Sequence, residues 1–352
     1  MKYLFKILIL LFGTLSFSQE LIFENLFDSS LNSEIACYRI PSIVTSTNGI
    51  LIAAIDERNN TCGDLKWNRN INIVLRKSYD DGKTWTKIER IIDYPIGESA
   101  SDPSMIVDRQ TKDIFLFYNY MNLDKAKDIY RFMVIKSNDN GESWSSPKDI
   151  TDQITKKEWK NDFMFITSGR GTQSEDGILL HCLVNLNKGT HVFGSNDHGK
   201  NWFLIDYPLK PGDESKIIEL SNGDWLVNSR VNSNKFRYSH ISKDKGKSWL
   251  SFENKDLSDP ACNASIINYN ISSEKLLLFS NAFDSNERKN LSLSISYDQG
   301  MSWKNNKTIY KGSSAYSSMT KLKNGDVGLF FEKDNYTKNV FVRVPKKWVL
   351  DK

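Results

Sequence analysis

Short apolar runs of strand length recur along the whole chain. IPSIVTS and ILIAAID are followed by INIVLRKS, DIFLFYNY, RFMVIKS, DGILLHCLV, GDWLVNSRV, KLLLFSNAF, LSLSISY and DVGLFFE. Each is continuous or alternating in its apolar positions and is bounded by Gly, Asn, Asp or Ser, the pattern of strands between turns. Amphipathic stretches of helical period are scarce, the best being a short turn around Ile154 to Trp159. The pattern predicts a nearly all-β chain.

An eight-residue box punctuates these runs five times: SYDDGKTW from Ser78, SNDNGESW from Ser137, SNDHGKNW from Ser195, SKDKGKSW from Ser242 and SYDQGMSW from Ser296. The boxes start 59, 58, 47 and 54 residues apart, a period that suits a radial array of four-stranded blades. Within each, the Asp can accept backbone N–H bonds across a turn, Gly permits positive φ, and Trp can bury a large ring between sheets. The boxes are therefore expected to staple hairpins. They lack the alternating oxygen ligands and closing bidentate Glu of a calcium loop. In a ring, one chain end can add a strand beside the other and remove the exposed edge. LIFENLF near the start and NVFVRVPKKWVL at the end are the candidates for that closure.

Composition narrows the setting. The first residues, MKYLFKILILLFGTLSFSQE, join Lys2 and Lys6 to an apolar run and then small polar residues. This reads as a signal peptide over residues 1–18, cleaved near Ser18 or Gln19, with export to the periplasm or the medium expected. The run from Tyr3 to Phe17 is short for a membrane span and is interrupted by Lys6. Lys and Arg number 47 against 43 acidic residues, and without Lys2 and Lys6 the balance is 45 to 43, which points to neither nucleic acid nor an anionic membrane. Cys37, Cys62, Cys182 and Cys262 have no short metal-ligand spacing; an exported chain could pair some of them, or all could be buried thiols.

The motifs between the boxes carry the chemistry: YRIPS, DERNNTCGDL, SDPSMIVD, DESKIIELSNGDWLVNSR, LLLFSNAFDSNERKNL, and SAYSSM followed by GLFFE. Together with the box spacing they resemble the sialidase (neuraminidase) family of Asp-box, six-bladed β-propellers, from Tyr38 to Glu332, nearly the whole of the expected mature domain, residues 19–352. The resemblance implies that Arg39, Arg230 and Arg288 grip the carboxylate of a sialic acid, a task for which guanidinium groups suit by their charge-assisted, partly bidentate hydrogen bonds. It makes Glu332 the support of Arg39, and Tyr316 the nucleophile. A neutral phenol avoids bringing a second anion to an anomeric carbon that already bears a carboxylate, and tyrosine nucleophiles in sialidases are a known exception to the two-carboxylate pattern.

A phenol needs a base at neutral pH. The resemblance assigns that role to Glu214, with Glu219 in the same stretch as its rival. Asp64 matches the acid-base aspartate, and Arg58 and Asp102 match residues bordering the pocket near the ring hydroxyls. Two departures stand out: Arg170 in SGRGTQ, where relatives often have a Gly-Pro-Gly-like run, and Cys62 beside the Asp64 loop. Either could alter the pocket rim or the rigidity of the loop.

The function implied is a secreted, retaining exo-α-sialidase acting on sialylated glycans, with no metal and no organic cofactor. A sialic-acid-binding propeller lectin is the alternative from another class. It would need the arginines but not Asp64, Tyr316 and Glu214. A transglycosylating or anhydro-sugar-forming relative would share the whole catalytic set.

Overall fold

The computed structural model describes residues 20–126, 129–271 and 274–351. The expected signal peptide lies outside the described residues. The chain is all-β, with five sheets among the described residues. Ile35–Thr45, Leu51–Asn59, Ile71–Ser78 and Glu89–Ile92 form one, and Glu98–Val107, Ile114–Asn122, Tyr130–Ser137 and Lys148–Asp149 the next. The third is built on Leu179–Asn185 and Gly189–Ser195, and the fourth runs from Ser215–Glu219 to Leu250–Ser258. The fifth has seven strands, because Lys304–Lys321 pairs through its first half with Lys289–Ser296 and through its second with Val327–Lys333.

The anticipated closure is present in this sheet. Phe23–Asp28 lies antiparallel beside Lys338–Val344, with Phe23 opposite Val342, so a strand from the start of the described chain completes a sheet made from its end. The strand stops at Val344; Pro345 has no N–H to continue the ladder, and Lys346–Leu350 forms a short helix instead of the extended tail expected of PKKWVL. The turn expected at Ile154 to Trp159 splits into helical pieces Thr151–Ile154 and Lys157–Trp159.

The boxes are turns held by the same bonds each time. In the first, Ser78 Oγ donates to Asp80 (2.9 Å) and accepts from the Gly82 amide (2.8 Å), while Asp80 takes the amide and hydroxyl of Thr84 at 2.9 and 2.7 Å. Gly82 has φ of 85°, and a methyl there would lie 2.2 Å from Phe341 in the last sheet. Gly141 likewise seats against Ile52 of the first sheet, and the later boxes against Phe115, Ile205 and Leu226. Each box docks on the sheet before it, and the first docks on the last.

The innermost strands meet along a polar axis. Ser42 donates to Gly169 O, Thr45 Oγ1 bonds Thr320 Oγ1 at 2.8 Å, Met319 N donates to Ser265 Oγ, and Asn263 reaches Ser168 at 2.7 Å. Apolar side chains fill the spaces between neighbouring sheets. That burial drives assembly, and it leaves the strand ends free to carry chemistry.

Candidate active site

Three innermost strands break register where the chemistry is expected. Arg39 pairs with Asp56 but Ser42 with Ala54, Ser101 with Asn119 but Ser104 with Phe117, and Ser314 with Lys333 but Ser317 with Phe331. One extra residue in each makes a bulge, which bends the strand and redirects its side chains. Two of the bulges contain proline, and the residue before it has positive φ: 71° at Ile40 and 64° at Asp102. For a β-branched residue this is strain held in place by its surroundings. At Ile40 the holding bond is from its amide to Glu332 Oε1, at 2.9 Å.

Glu332 organises one side of the site. It is fully buried, and its carboxylate takes Arg39 Nε at 2.8 Å, the Ile40 amide, and the Tyr316 amide at 3.1 Å. Arg39 is stacked over the rings of Tyr336 and Tyr316, with Cζ 4.1 and 5.4 Å from their centroids. Arg288 lies 5.5 Å from the Tyr316 centroid and donates to Tyr336 Oη and Ala261 O. Arg230 Nη1 donates to Glu214 at 2.6 Å and to Tyr316 Oη at 3.2 Å. The three arginines singled out in the sequence therefore surround one phenol. Burial opposes the charges on Arg39 and Arg230, but Glu332 and Glu214 outweigh it and both guanidinium pKa values rise.

A cleft of about 290 Å³ opens over this group, lined by Asp64, Asp102, Glu214, Arg230 and Tyr316, with Trp67, Phe163 and Phe165 along its apolar side. Burial pushes the Tyr316 hydroxyl well above the ordinary phenol range; Glu214 adds to the rise, and Arg230, Arg288 and Arg39 offset part of it. The phenol thus stays protonated at neutral pH unless a base relieves it. Glu219, the rival to Glu214, is elsewhere: it accepts the Glu175 amide at 2.5 Å, outside this group.

Also lining the cleft, Asp64 meets Arg58 Nη1 at 2.6 Å, with its own side chain 66% exposed. Partial desolvation within the cleft works to raise its pKa, but Arg58, and more weakly Arg39 and Arg288, hold the carboxyl below its usual value. Arg58 is wholly buried and also pairs with Asp56 and donates to Cys62 O. Asp56 in turn accepts from Ser101 Oγ and the Asp102 amide. Burial pushes the Asp102 carboxyl up, the Asp56 charge adds to this, and Arg58 offsets part of it.

A disulfide joins Cys37 to Cys62 and so ties the loop bearing Asp64 to the strand bearing Arg39. Cys182 and Cys262 are buried free thiols. Arg170 does not border the cleft, contrary to one expectation; it donates to Met319 O and lines a different cavity.

Sequence reasoning missed several members of the site. Asp56 was signalled by a carboxylate ending the apolar run ILIAAID, an arrangement that demands a buried partner. Tyr336, which joins Arg39 to Arg288, sits in the turn KDNYTK and has no comparable signal. Asn232 donates to Asp213 at 2.5 Å beside Arg230; Asp213 opens a quoted motif and Asn232 lies two residues past its end, and neither was singled out. No group of metal-ligating side chains occurs among the described residues.

A BNR repeat-like domain family model matches residues 61–329. The chain is 28% identical over 330 residues to a sialidase of Bacteroides fragilis, covering 84% of this chain and 60% of the relative. It is 32% identical over 327 residues to a sialidase of Micromonospora viridifaciens, covering 84% and 50%. It spans 60% and 50% of these relatives' lengths. Among solved structures, Hadza microbial sialidase Hz136 superposes with a TM-score of 0.79 at 25% identity, over 90% of this chain and 67% of that one. With the matched family model covering most of the chain, the protein belongs to the BNR-repeat sialidase family.

Proposed function

We propose that this protein is a retaining exo-α-sialidase that releases terminal sialic acid from sialylated glycans through a covalent tyrosyl intermediate. One observation carries the reading: a buried phenol ringed by Arg39, Arg230 and Arg288, with Glu214 held beside it by Arg230. The arginines supply charge-assisted donors for one carboxylate and place the anomeric carbon at Tyr316 Oη.

In the proposed reaction a proton from Asp64 goes to the glycosidic oxygen as that bond breaks. Tyr316 Oη bonds the anomeric carbon, and its proton passes to Glu214. The displaced alcohol leaves, and a water deprotonated by Asp64 then cleaves the tyrosyl bond. The phenolate recovers its proton, and two inversions give net retention. Asp64 begins paired with Arg58 and ionised, so it must take up its proton as substrate enters and closes the cleft to water. Glu332 would be a positioning residue, holding Arg39 and the Tyr316 backbone with one carboxylate.

The same reading includes a six-bladed propeller for residues 19–352. The seven-stranded sheet reads as two blades sharing Lys304–Lys321, and the docking of the first box on the last sheet supports a closed ring. It also includes export, on the pattern of residues 1–18. The test of the activity is release of the fluorophore from an aryl α-sialoside by the purified protein. Binding of sialyl-lactose without release would replace this reading with the lectin.

A further inference from the structure

A second cavity, about 580 Å³, lies on the same axis. Thr45, Val107, Ile217 and Thr320 line it, and they follow Arg39, Asp102, Glu214 and Tyr316 by six, five, three and four positions. At about 3.3 Å per strand residue the two linings are roughly 10–20 Å apart, at opposite ends of the innermost strands.

The charges of this cavity are all of one sign. Arg109, Arg170, Lys216, Lys321 and Lys323 line it, and no carboxylate does. Their hydrogen bonds go to neutral oxygens: Arg170 to Met319 O at 2.8 Å, Arg109 to Ser174 O at 2.9 Å, Lys216 to Asn263 Oδ1 at 2.6 Å, Lys321 to Asn270 O at 2.6 Å, and Lys323 to Asn48 O. Thr47 adds a shielded hydroxyl that has no partner among the described residues. Burial lowers the Arg170 pKa to about 10, with Arg109 adding to the fall, and lowers Lys216 to about 7. The cations lining this half-open cavity repel one another, and no carboxylate of its lining offsets them.

We propose that this cavity binds a tetrahedral oxyanion, phosphate or sulfate, either free or esterified to a sugar. Guanidinium forks from Arg109 and Arg170 suit two oxygens of such a group, and the lysines and Thr47 supply further donors. The charges of Arg109, Arg170, Lys321 and Lys323, with Lys216 only partly protonated near neutral pH, favour an anion of more than one charge over a monocarboxylate. The site is independent of the proposed catalytic reading, and its test requires no turnover.

Calorimetric titration of the full chain with inorganic phosphate, at constant ionic strength, tests it. The catalytic arginines are a competing anion site, so Arg230→Met is titrated in parallel. Saturable binding should persist in Arg230→Met and weaken about tenfold or more in Arg170→Met. If Arg170→Met does not fold, the double variant Lys321→Met/Lys323→Met replaces two exposed lysines and should weaken binding likewise. Galactose 6-sulfate titrated beside inorganic sulfate distinguishes the sources: tighter binding of the ester marks a sugar-borne group, and equal or weaker binding marks the free ion. Absence of saturable binding in the millimolar range would overturn the proposal. So would loss of binding in Arg230→Met with full retention in Arg170→Met and in the lysine pair.

Discussion

Arg230 Nη1 donates both to Glu214 and to Tyr316 Oη, at 2.6 and 3.2 Å, so the guanidinium stands between the two and the phenol oxygen accepts from it. In the proposed reaction a substrate carboxylate would compete for Arg230. Drawing that guanidinium toward the substrate would free Glu214 to take the phenolic proton.

Glu214→Gln should therefore lower kcat on an aryl sialoside by roughly 10²–10⁴-fold, the usual contribution of a general base. The amide keeps an oxygen for Arg230, so the variant should fold and bind sialyl-lactose. Paired kcat and Kd measurements check this. Equal losses in both would make Glu214 only a support for Arg230.

Asp64→Ala should discriminate between leaving groups. A lactose alkoxide needs a proton as it departs, whereas an aryl oxide leaves largely without one. The variant should lose about 10²–10⁴-fold in kcat/KM on sialyl-lactose and far less on the aryl sialoside. Equal losses on both substrates would remove Asp64 from the acid's role.

Much of the fold, and the grouping of the candidate residues, is legible in the sequence. The boxes and the alternating runs follow from local pattern, because Ser-Asp-Gly turns and two-residue periodicity are set by neighbouring residues; the end-to-end closure follows instead from the need of a ring to cover its edge. Each expected catalytic and binding residue lies in the cleft or its immediate support. What was not legible depends on contacts between distant segments. Tyr336 matters because a turn between two late strands brings its ring beneath Arg39, nearly 300 residues earlier. The place of Arg170 depends on which end of the axis its short strand occupies, and local sequence does not encode that.

Asp102 gives a pH prediction with a definite sign. Burial, and then the Asp56 charge, raise its folded pKa above the ordinary aspartate value. A raised carboxyl contributes stability in acid, below the unfolded pKa near 4, and loses it as pH rises through the folded pKa. Asp102→Asn retains an oxygen for Asn119 but cannot ionise. Denaturant midpoints should show the variant gaining on the wild type from about pH 4 to neutrality. A constant difference across that range would contradict the raised pKa.

The Cys37–Cys62 bond closes a segment with a sequence separation of 25. Cys62→Ser should cost about 3 kcal/mol of unfolding free energy from the lost constraint on the unfolded chain. It should also loosen the Asp64 loop, so that sialyl-lactose turnover falls below that of the wild type at temperatures where the variant remains folded. Urea unfolding and kinetics on the same samples check both parts.

The most direct measurement concerns Tyr316 itself. Proton NMR of sialyl-lactose hydrolysis, followed from the first turnovers, reports which anomer of sialic acid is released first. Tyr316→Phe, assayed in parallel, reports whether the phenol is required. Nucleophilic catalysis by Tyr316 requires the α-anomer first and a kcat loss on the order of 10³-fold or more in the variant. Initial release of the β-anomer, or near-normal turnover by Tyr316→Phe, would contradict it.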